Sequence, residues 1–384
     1  MIDKEFLMIP GPTPLPPRVV SAMTYPMINH RGPKFKKLFV ESIDILKKIL
    51  NCDGELYMFG SSGSGAMELA VQNFSKKKDK VLVVDTGFFG QRFYEICLSF
   101  ERDAIRLQIP WGRTVKLEEI LDILNKEKEI KTIFLTHNET STGIINDIEN
   151  ISKRIKEVSD ALIVVDAVSS IGISKIDMLN WGIDVVVAAS QKGLMSPPGI
   201  GIVAINKRAL DFALKNETNS YYFSVKELKK RHDIGQPFTT FPVSVIFGLR
   251  EALNLLLEEG LENVYKRHLN FKYLIRSSLK ETGLKFLAND EDSSPCVTGV
   301  LLPENINGDD FVKRVRERYN IELAGMFGDY KGKGFRIGHM GYMNSNDLLV
   351  TISGIESALK DFNFQFNFGE ATKKFLDLRR EFNV

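Results

Sequence analysis

Five short runs of consecutive apolar, largely β-branched residues constrain the fold more than any other feature of this chain. They occupy residues 80–87, 130–138, 160–170, 184–193 and 199–206. Helical stretches separate them, and most lack the apolar–polar alternation of a strand with one face in water. Continuous apolar strands alternating with helices are typical of a mainly parallel sheet that helices cover on both faces. The pattern therefore predicts an α/β fold.

We expect the chain to divide into three regions. Residues 1–17 are rich in proline and extended, which predicts an N-terminal arm. Residues 18–255 are predicted to form a large domain. Residues 256–384 are predicted to form a smaller α+β domain, which begins with one long amphipathic helix over 258–283 and ends in an extra tail helix.

Charge and cysteine spacing exclude several classes of protein. The 51 basic and 49 acidic residues leave a net charge of +2, which favours neither a nucleic acid nor a membrane surface as partner. Cys52, Cys97 and Cys296 have no CxxC spacing, so we expect neither a disulfide framework nor structural zinc. The N-terminus does not have the pattern of a signal peptide, and no apolar run reaches about 18 residues. We therefore expect a soluble cytoplasmic protein.

Polar residues follow several of the predicted strands. These are residues 86–89, residues 138–142, Asp166 and Lys192. Because ligands of open parallel sheets bind outside the carboxyl ends of the strands, we expect these groups to meet in one crevice.

The stretch 59–74, FGSSGSGAMELAVQNF, interleaves glycines and serines before a helix predicted to begin near Ala66. Small residues leave backbone N–H groups free to face a ligand, and a helix N-terminus favours an anion. The stretch follows no clear strand with GxGxxG spacing and lacks the GK[ST] of a nucleotide-binding loop. It is either an ordinary capped loop or a site for a phosphate without a nucleotide.

Lys192, Asp166 and Phe89 each allow an ordinary explanation: a lysine beyond a strand end, a helix-capping acid and a core aromatic ring. The five histidines are dispersed, so a metal is not expected. Taken together, a phosphate cradle, an acid for a ring nitrogen, a flat ring and a sheltered lysine indicate a site for pyridoxal 5′-phosphate, which needs all four.

The chain resembles the class V aminotransferases, in the branch of the alanine–glyoxylate and serine–pyruvate aminotransferases. The resemblance covers nearly the whole chain, in family order, through IPGPTPLPPRV, SGSGAMELA, TGFFGQR, LTHNETSTG, VVDAVSSIG, SQKGLMSPPG and FRIGHMG. It implies the fold type I of pyridoxal-phosphate enzymes, with a mainly parallel seven-stranded sheet in the large domain. It also implies a transaminase with a ping-pong mechanism.

The resemblance implies a role for each residue around the cofactor ring. Lys192 would carry the internal aldimine and then move a proton between the substrate α-carbon and the cofactor. Asp166 would hold the pyridinium N–H, Val168 and Phe89 would pack on opposite ring faces, and Thr140 would contact the ring hydroxyl or neighbouring groups. The branch often has tryptophan where this chain has Phe89.

The resemblance also implies which residues bind the two anionic groups, the substrate α-carboxylate and the cofactor phosphate. Arg336 would bind the substrate α-carboxylate as a bidentate fork. Thr240 would reach the phosphate of the partner subunit, which implies a homodimer. Gln236 stands near positions where the family often has a tyrosine, and whether it substitutes is open. The phosphate-binding residues of the same subunit would be Ser62, Gly63, Ser64 and Gln191.

Substrate choice is less constrained. We expect serine or alanine as amino donor and glyoxylate or pyruvate as acceptor. In relatives His30 and Arg31 lie near the entrance, so Arg31 could instead accept an acidic side chain such as that of aspartate or phosphoserine. Equally, Arg31 could be a structural ion-pairing residue.

Two other functions are less consistent with these residues. A lyase of the cysteine desulfurase type needs a histidine before the lysine and a cysteine on a mobile loop, whereas this chain has Gln191 and a core-like Cys296. A non-catalytic, cofactor-bound module would be expected to lose Lys192 or Arg336, and both are present.

Overall fold

A seven-stranded sheet forms the centre of the computed structural model, which describes residues 4–382. Its strand order is β2-β10-β9-β8-β5-β3-β4, and only β10 runs against the others. The predicted parallel sheet and fold class are confirmed. The strands are β2 (Glu55–Ser61), β3 (Lys80–Asp85), β4 (Asp103–Gln108), β5 (Thr132–Thr136), β8 (Leu162–Asp166), β9 (Val185–Ala189) and β10 (Gly199–Ile205).

Both faces of this sheet are covered, which explains the continuous apolar runs. Every residue of β5, β8 and β9 is buried. Alternate side chains of one strand enter different cores: Ile163 and Val165 pack on one face of the sheet and Val164 on the other. The helices of the large sheet are α1 (Pro17–Met23), α2 (Pro33–Ile49), α3 (Gly63–Phe74), α4 (Phe88–Ser99), α5 (Leu117–Lys126), α6 (Ile148–Val158), α7 (Met178–Trp181), α8 (Lys207–Lys215), α9 (Val225–His232) and α10 (Val243–Glu259).

Two strands of the sheet were not predicted. β4 is an edge strand whose side chains are partly exposed and include Arg106, so it lacks an apolar run. β2 ends in Gly60 and Ser61, which resemble a turn in the sequence. The expectation that no clear strand precedes the glycine–serine stretch was therefore wrong: β2 leads directly into it.

The C-terminal part has its own antiparallel sheet of order β11-β12-β15-β14. The predicted single helix over 258–283 begins only at Leu261, because the chain turns at Gly260 with a φ of 82°. The predicted domain boundary after residue 255 falls inside α10. The elements are α11 (Leu261–Lys280), β11 (Lys285–Phe286), β12 (Val297–Leu301), α12 (Gly308–Tyr319), β13 (Ile321–Glu322), β14 (Ala324–Gly325), a 3-10 helix (Gly328–Tyr330), β15 (Gly334–Gly338), α13 (Ser345–Asp361) and α14 (Glu370–Phe382).

The two ends of the chain pack onto this C-terminal part. β1 (Phe6–Leu7) pairs in parallel with β13. The tail helix α14 buries Ala371, Phe375 and Leu378 in the core that α11 and α13 share. No helix within residues 4–382 combines the length and hydropathy that a membrane span requires.

Candidate active site

A cavity of about 190 Å³ opens where the parallel strands of the large sheet end. It brings together every residue predicted to bind the cofactor except Thr240. The residues that line it are Ser62, Gly63, Ser64, Met67, Phe89, Arg92, Asn138, Thr140, Asp166, Val168, Ser169, Gln191 and Lys192. The expectation of a single crevice at the strand ends is met, because β5, β8 and β9 run parallel and deliver their following residues to one edge.

The glycine–serine turn between β2 and α3 forms one end of the cavity. The helix begins at Gly63, three residues before the predicted start, and Ser62 Oγ accepts a hydrogen bond from Gly65 N at 3.3 Å. A Cβ on Gly63 would lie 2.8 Å from Val168 Cγ2, so only glycine fits there. Gly63 and Ser64, whose amides come before the first hydrogen bonds within this twelve-residue helix, line the cavity, and such a helix start suits an anion.

Arg92 adds a positive charge at this end, and no role was predicted for it. Its Nη1 donates to Ser64 Oγ at 2.8 Å, and its guanidinium lies 4.9 Å from the centre of the Phe89 ring. The sequence could have indicated Arg92, because it lies three residues after the candidate Phe89 and residues three apart on a helix share a face.

Asp166 ends β8 with its carboxylate buried. Its Oδ1 accepts a hydrogen bond from Val168 N at 2.8 Å. Burial raises the pKa of Asp166 to about 6, while that hydrogen bond and the charges of Arg92 and Lys192 act in the opposite direction. A cationic partner such as a pyridinium N–H would favour the ionised form further.

Lys192 lies in the turn after β9, and its Nζ donates to the carbonyl of Pro10. Burial and the charge of Arg336 lower the pKa of Lys192 to about 8, against the attraction of Asp166. The neutral amine that attacks a carbonyl is therefore accessible near neutral pH. The N-terminal segment covers this lysine closely: a Cβ on Gly11, at a φ of 101°, would lie 2.5 Å from Lys192 Cδ.

Arg336 on β15 is buried and held by backbone carbonyls. Its Nε donates to Gly325 O at 2.9 Å and its Nη1 to Thr140 O at 3.1 Å, and the guanidinium lies 4.4 Å from the centre of the Phe327 ring. Burial lowers the pKa of Arg336 to about 10, so it remains charged at neutral pH. The Nη2 group of this fixed fork is suited to a carboxylate.

Four predicted residues are not part of the cavity lining: Arg336, which contacts the lining residue Thr140 through its carbonyl, and His30, Arg31 and Thr240. His30 is half-buried, whereas Arg31 and Thr240 are exposed. Gln236, a possible phosphate donor, places its Nε2 3.5 Å from Arg31 O instead.

The cysteine expected to be a core thiol is buried. Cys296 Sγ donates to Ser169 O at 3.2 Å, and burial raises its pKa to about 12. A buried thiol that stays protonated is a poor nucleophile, which argues against the lyase.

Two buried polar atoms on the cavity lack a partner among residues 4–382: Asn138 Nδ2 and Gln191 Oε1. Buried polar groups are rarely left unpaired, so a polar ligand is expected against them. An anion-binding helix start, a buried acid, an aromatic ring and a sheltered amine fit a phosphorylated pyridine aldehyde. Fold and site together define a pyridoxal-phosphate-dependent enzyme of fold type I.

The chain belongs to the aminotransferase class-V family, whose pattern matches residues 6–330. It is an aminotransferase whose cofactor is pyridoxal 5′-phosphate. It is 37% identical to a serine–glyoxylate aminotransferase of Hyphomicrobium methylovorum, over 95% of this chain and 92% of the relative. It is 32% identical to an L-aspartate–glyoxylate aminotransferase of Paracoccus denitrificans, over 96% and 94%. The solved ureidoglycine–glyoxylate aminotransferase of Bacillus subtilis matches with a TM-score of 0.93 and 28% identity, over 99% of both chains.

Proposed function

We propose that this aminotransferase moves an amino group from serine or alanine to glyoxylate or pyruvate. The observation that carries the proposal is that Lys192 and Asp166 line one cavity, while Arg336 donates to the carbonyl of Thr140, another residue of that lining, and its charge acts on Lys192. The similarity to a serine–glyoxylate aminotransferase supports the choice of substrates.

The cavity residues would hold the two ends of the cofactor. Ser62, Gly63, Ser64 and Gln191 would bind the phosphate at the start of α3. Asp166 would accept the pyridinium N–H, Phe89 and Val168 would cover the two ring faces, and Thr140 would contact the ring hydroxyl. When bound, pyridoxal phosphate supplies an electron sink for the bonding electrons of the substrate α-carbon.

Lys192 and Arg336 would act on the substrate. Arg336 would bind the α-carboxylate and so orient the α-carbon towards Lys192. Lys192 would hold the cofactor, and its Nζ would take the proton that leaves the α-carbon and return it on the opposite side of the transfer. The low pKa of Lys192 favours this role, because its amine gains and loses a proton near neutral pH.

A donor and acceptor screen on the purified holoenzyme tests the proposal. We expect turnover of serine or alanine with glyoxylate or pyruvate, and parallel double-reciprocal lines, because the donor product leaves before the acceptor binds. Borohydride reduction followed by peptide mass spectrometry should find the pyridoxyl group on Lys192. Absence of transamination with every pair, or a label on another lysine, would contradict the proposal.

A second candidate is a transaminase for an acidic donor. The similarity to an L-aspartate–glyoxylate aminotransferase favours it. It requires the exposed Arg31, or His30 beside it, to reach the substrate side chain. Arg31→Ala should then depress turnover of aspartate or phosphoserine more than that of serine and alanine; an unchanged order of preference would remove this candidate.

We further propose a homodimer in which Thr240 contacts the cofactor phosphate of the partner subunit, since Thr240 is exposed and lies outside its own cavity. Light scattering should give the mass of a dimer. Thr240→Ala should weaken cofactor binding, whereas Thr239→Ala serves as the adjacent control. A monomer that retains full activity would overturn this arrangement. The cytoplasmic location and the domain boundary after residue 255 stay predictions.

A further inference from the structure

Glu139, at the end of the short strand β6 (Asn138–Glu139), is a buried carboxylate surrounded by donors. Its Oε2 accepts hydrogen bonds from Phe89 N at 3.0 Å and Gly90 N at 3.1 Å. Its Oε1 accepts from Ser141 N at 3.0 Å and Ser141 Oγ at 2.6 Å. Backbone amides only donate, so this environment suits a carboxylate that accepts at both oxygens.

The first two of these bonds place Glu139 at the start of α4. Gly87, the residue before this helix, provides no side-chain cap, and the first amides of a helix have no partner within it. Phe88 N donates to Ser141 Oγ at 2.9 Å, so Glu139 and Ser141 together bind the first turn. A Cβ on Gly87 would lie 2.6 Å from Glu139 Cγ, which shows how closely the two segments approach. The position of Phe89 therefore depends on a residue fifty positions later.

Glu139 is also connected to Arg336. The next residue, Thr140, accepts the 3.1 Å hydrogen bond from Arg336 Nη1 through its carbonyl. Burial raises the pKa of Glu139 to about 7, against the hydrogen bonds from Ser141 and Gly90. In its ionised form Glu139 opposes the effect of burial on the pKa of Arg336 and so favours the charged guanidinium. Glu139 thus contacts the start of α4, which carries Phe89, and directly precedes Thr140, whose carbonyl holds Arg336.

We propose that Glu139 is a positioning residue, which fixes Phe89 and Arg336 relative to each other across the active site. The inference rests on the proposed roles of these two residues. In Glu139→Gln an NH₂ group replaces one of the two carboxylate oxygens. That group would face N–H donors whose hydrogen bonds the oxygen accepts in the wild type. The start of α4 and the Thr140 carbonyl would then shift, although the substituted residue touches neither substrate nor cofactor.

The chain offers a matched control in Glu356. This buried carboxylate accepts hydrogen bonds from Gly369 N at 2.9 Å, Ala371 N at 3.1 Å and Thr372 N at 3.2 Å at the start of α14, a helix of the C-terminal core. Glu356→Gln removes the same kind of cap without touching the segments that carry Phe89 and Arg336. It reports what the loss of a buried cap does to stability alone.

The experiment compares Tm, cofactor affinity and steady-state kinetics of both variants. Cofactor affinity is measured on the cofactor-free protein by quenching of its intrinsic fluorescence, so one readout does not depend on turnover. We expect Glu139→Gln to raise KM for donor and acceptor about tenfold or more, with a smaller fall in kcat, and to weaken cofactor binding. Glu139→Asp, which keeps the charge, should recover part of the loss. Glu356→Gln should lower Tm and leave KM and cofactor affinity unchanged.

Equal falls in Tm for the two glutamine variants, with KM and cofactor affinity unchanged in both, would overturn the proposal and leave Glu139 a helix cap. If Glu139→Gln does not fold, Ser141→Ala replaces it: this variant removes the hydroxyl bond to the same carboxylate and should raise KM by a smaller factor, and an unchanged KM would again overturn the proposal. Failure of the proposed function can be told apart from failure of the Glu139 proposal. In that case the wild type itself would lack transamination, whereas the cofactor affinities of the variants could still be compared.

Discussion

Arg336 Nη1 donates a hydrogen bond to the backbone carbonyl of Thr140, 196 residues earlier in the chain, at 3.1 Å. The bond joins β15 of the C-terminal sheet to the turn that directly follows β6. The group proposed to bind the substrate carboxylate is therefore held directly against the segment that lines the cofactor cavity. Its guanidinium has little freedom to adjust, and its geometry should matter as much as its charge.

Replacing Arg336 by lysine keeps the charge and removes the planar fork. A single lysine ammonium cannot make the bonds to Gly325 and Thr140 and also a bidentate contact to a carboxylate, whereas the guanidinium of Arg336 has five N–H donors for them. We expect Arg336→Lys to raise KM for amino and oxo acids roughly 10- to 100-fold, as for loss of a charge-assisted hydrogen bond. Steady-state kinetics check this, with the exposed Arg314→Lys as control. An unchanged KM would show that another residue binds the carboxylate.

Replacing Asp166 by asparagine keeps an oxygen for the bond from Val168 N and removes the charge. A neutral amide stabilises a cationic ring nitrogen less well, so the electron sink is weakened. We expect kcat to fall at least about tenfold, one factor of ten per 1.4 kcal/mol, while cofactor still binds through its phosphate. The measurement is kcat of variant enzyme shown by absorbance to carry cofactor. Unchanged turnover would remove Asp166 from the mechanism.

The pKa of Lys192 gives a pH dependence. Because burial lowers this pKa from 10.5 to about 8, the neutral amine of the cofactor-free protein appears as pH rises through that value. We expect the rate of cofactor incorporation, followed by absorbance after mixing, to rise with a midpoint near that pKa and then level off. Arg336→Gln should move the midpoint upward, since the charge of Arg336 contributes to the shift. A midpoint at the ordinary lysine value would contradict the sheltered amine.

Asp184, at the other end of β9, offers a stability prediction separate from catalysis. Its buried carboxylate accepts from Arg208 Nη2 at 2.7 Å, Lys156 Nζ at 2.5 Å and Ile163 N at 2.7 Å. Asp184→Asn removes the counter-charge of Arg208 and Lys156, which are themselves partly exposed, and should lower the free energy of unfolding by about 1.5–3 kcal/mol, as for loss of hydrogen bonds to a charged group, measured with urea. The kcat of the folded variant should equal that of the wild type, which makes it a control for Asp166→Asn.

The same carboxylate predicts an acid-dependent loss of stability. Burial acts to raise the pKa of Asp184, but the bonds from Arg208 and Lys156 hold it below its ordinary value of 3.8. Because the pKa of Asp184 is lower in the folded state, its ionised carboxylate stabilises the protein at pH values above its ordinary pKa. This contribution disappears as pH falls through the lowered pKa. The free energy of unfolding of the wild type should therefore decrease as pH falls below about 4, and that of the Asp184→Asn variant should decrease less. An identical acid profile in both proteins would contradict the ion pairs.

Much of the fold could be predicted because its signals are local. Strands covered on both faces need consecutive apolar residues, so β5, β8 and β9 are visible in the sequence. The edge strand β4 has no such requirement and was missed. Asn307 illustrates the same locality at the start of α12: its side chain accepts from Asp309 N and Asp310 N, two and three residues later.

The amino-acid sequence by itself determined the parallel sheet and the polar residues at its strand ends, including Asp166 and Lys192, because strand direction and turn position follow from neighbours along the chain. Only the tertiary structure decided that Pro10 covers Lys192 and that Glu139 bridges Phe89 and the neighbour of Arg336. These contacts join segments far apart in the chain. Their partners are chosen by packing and by the need to pair buried charges, and neither leaves a local pattern.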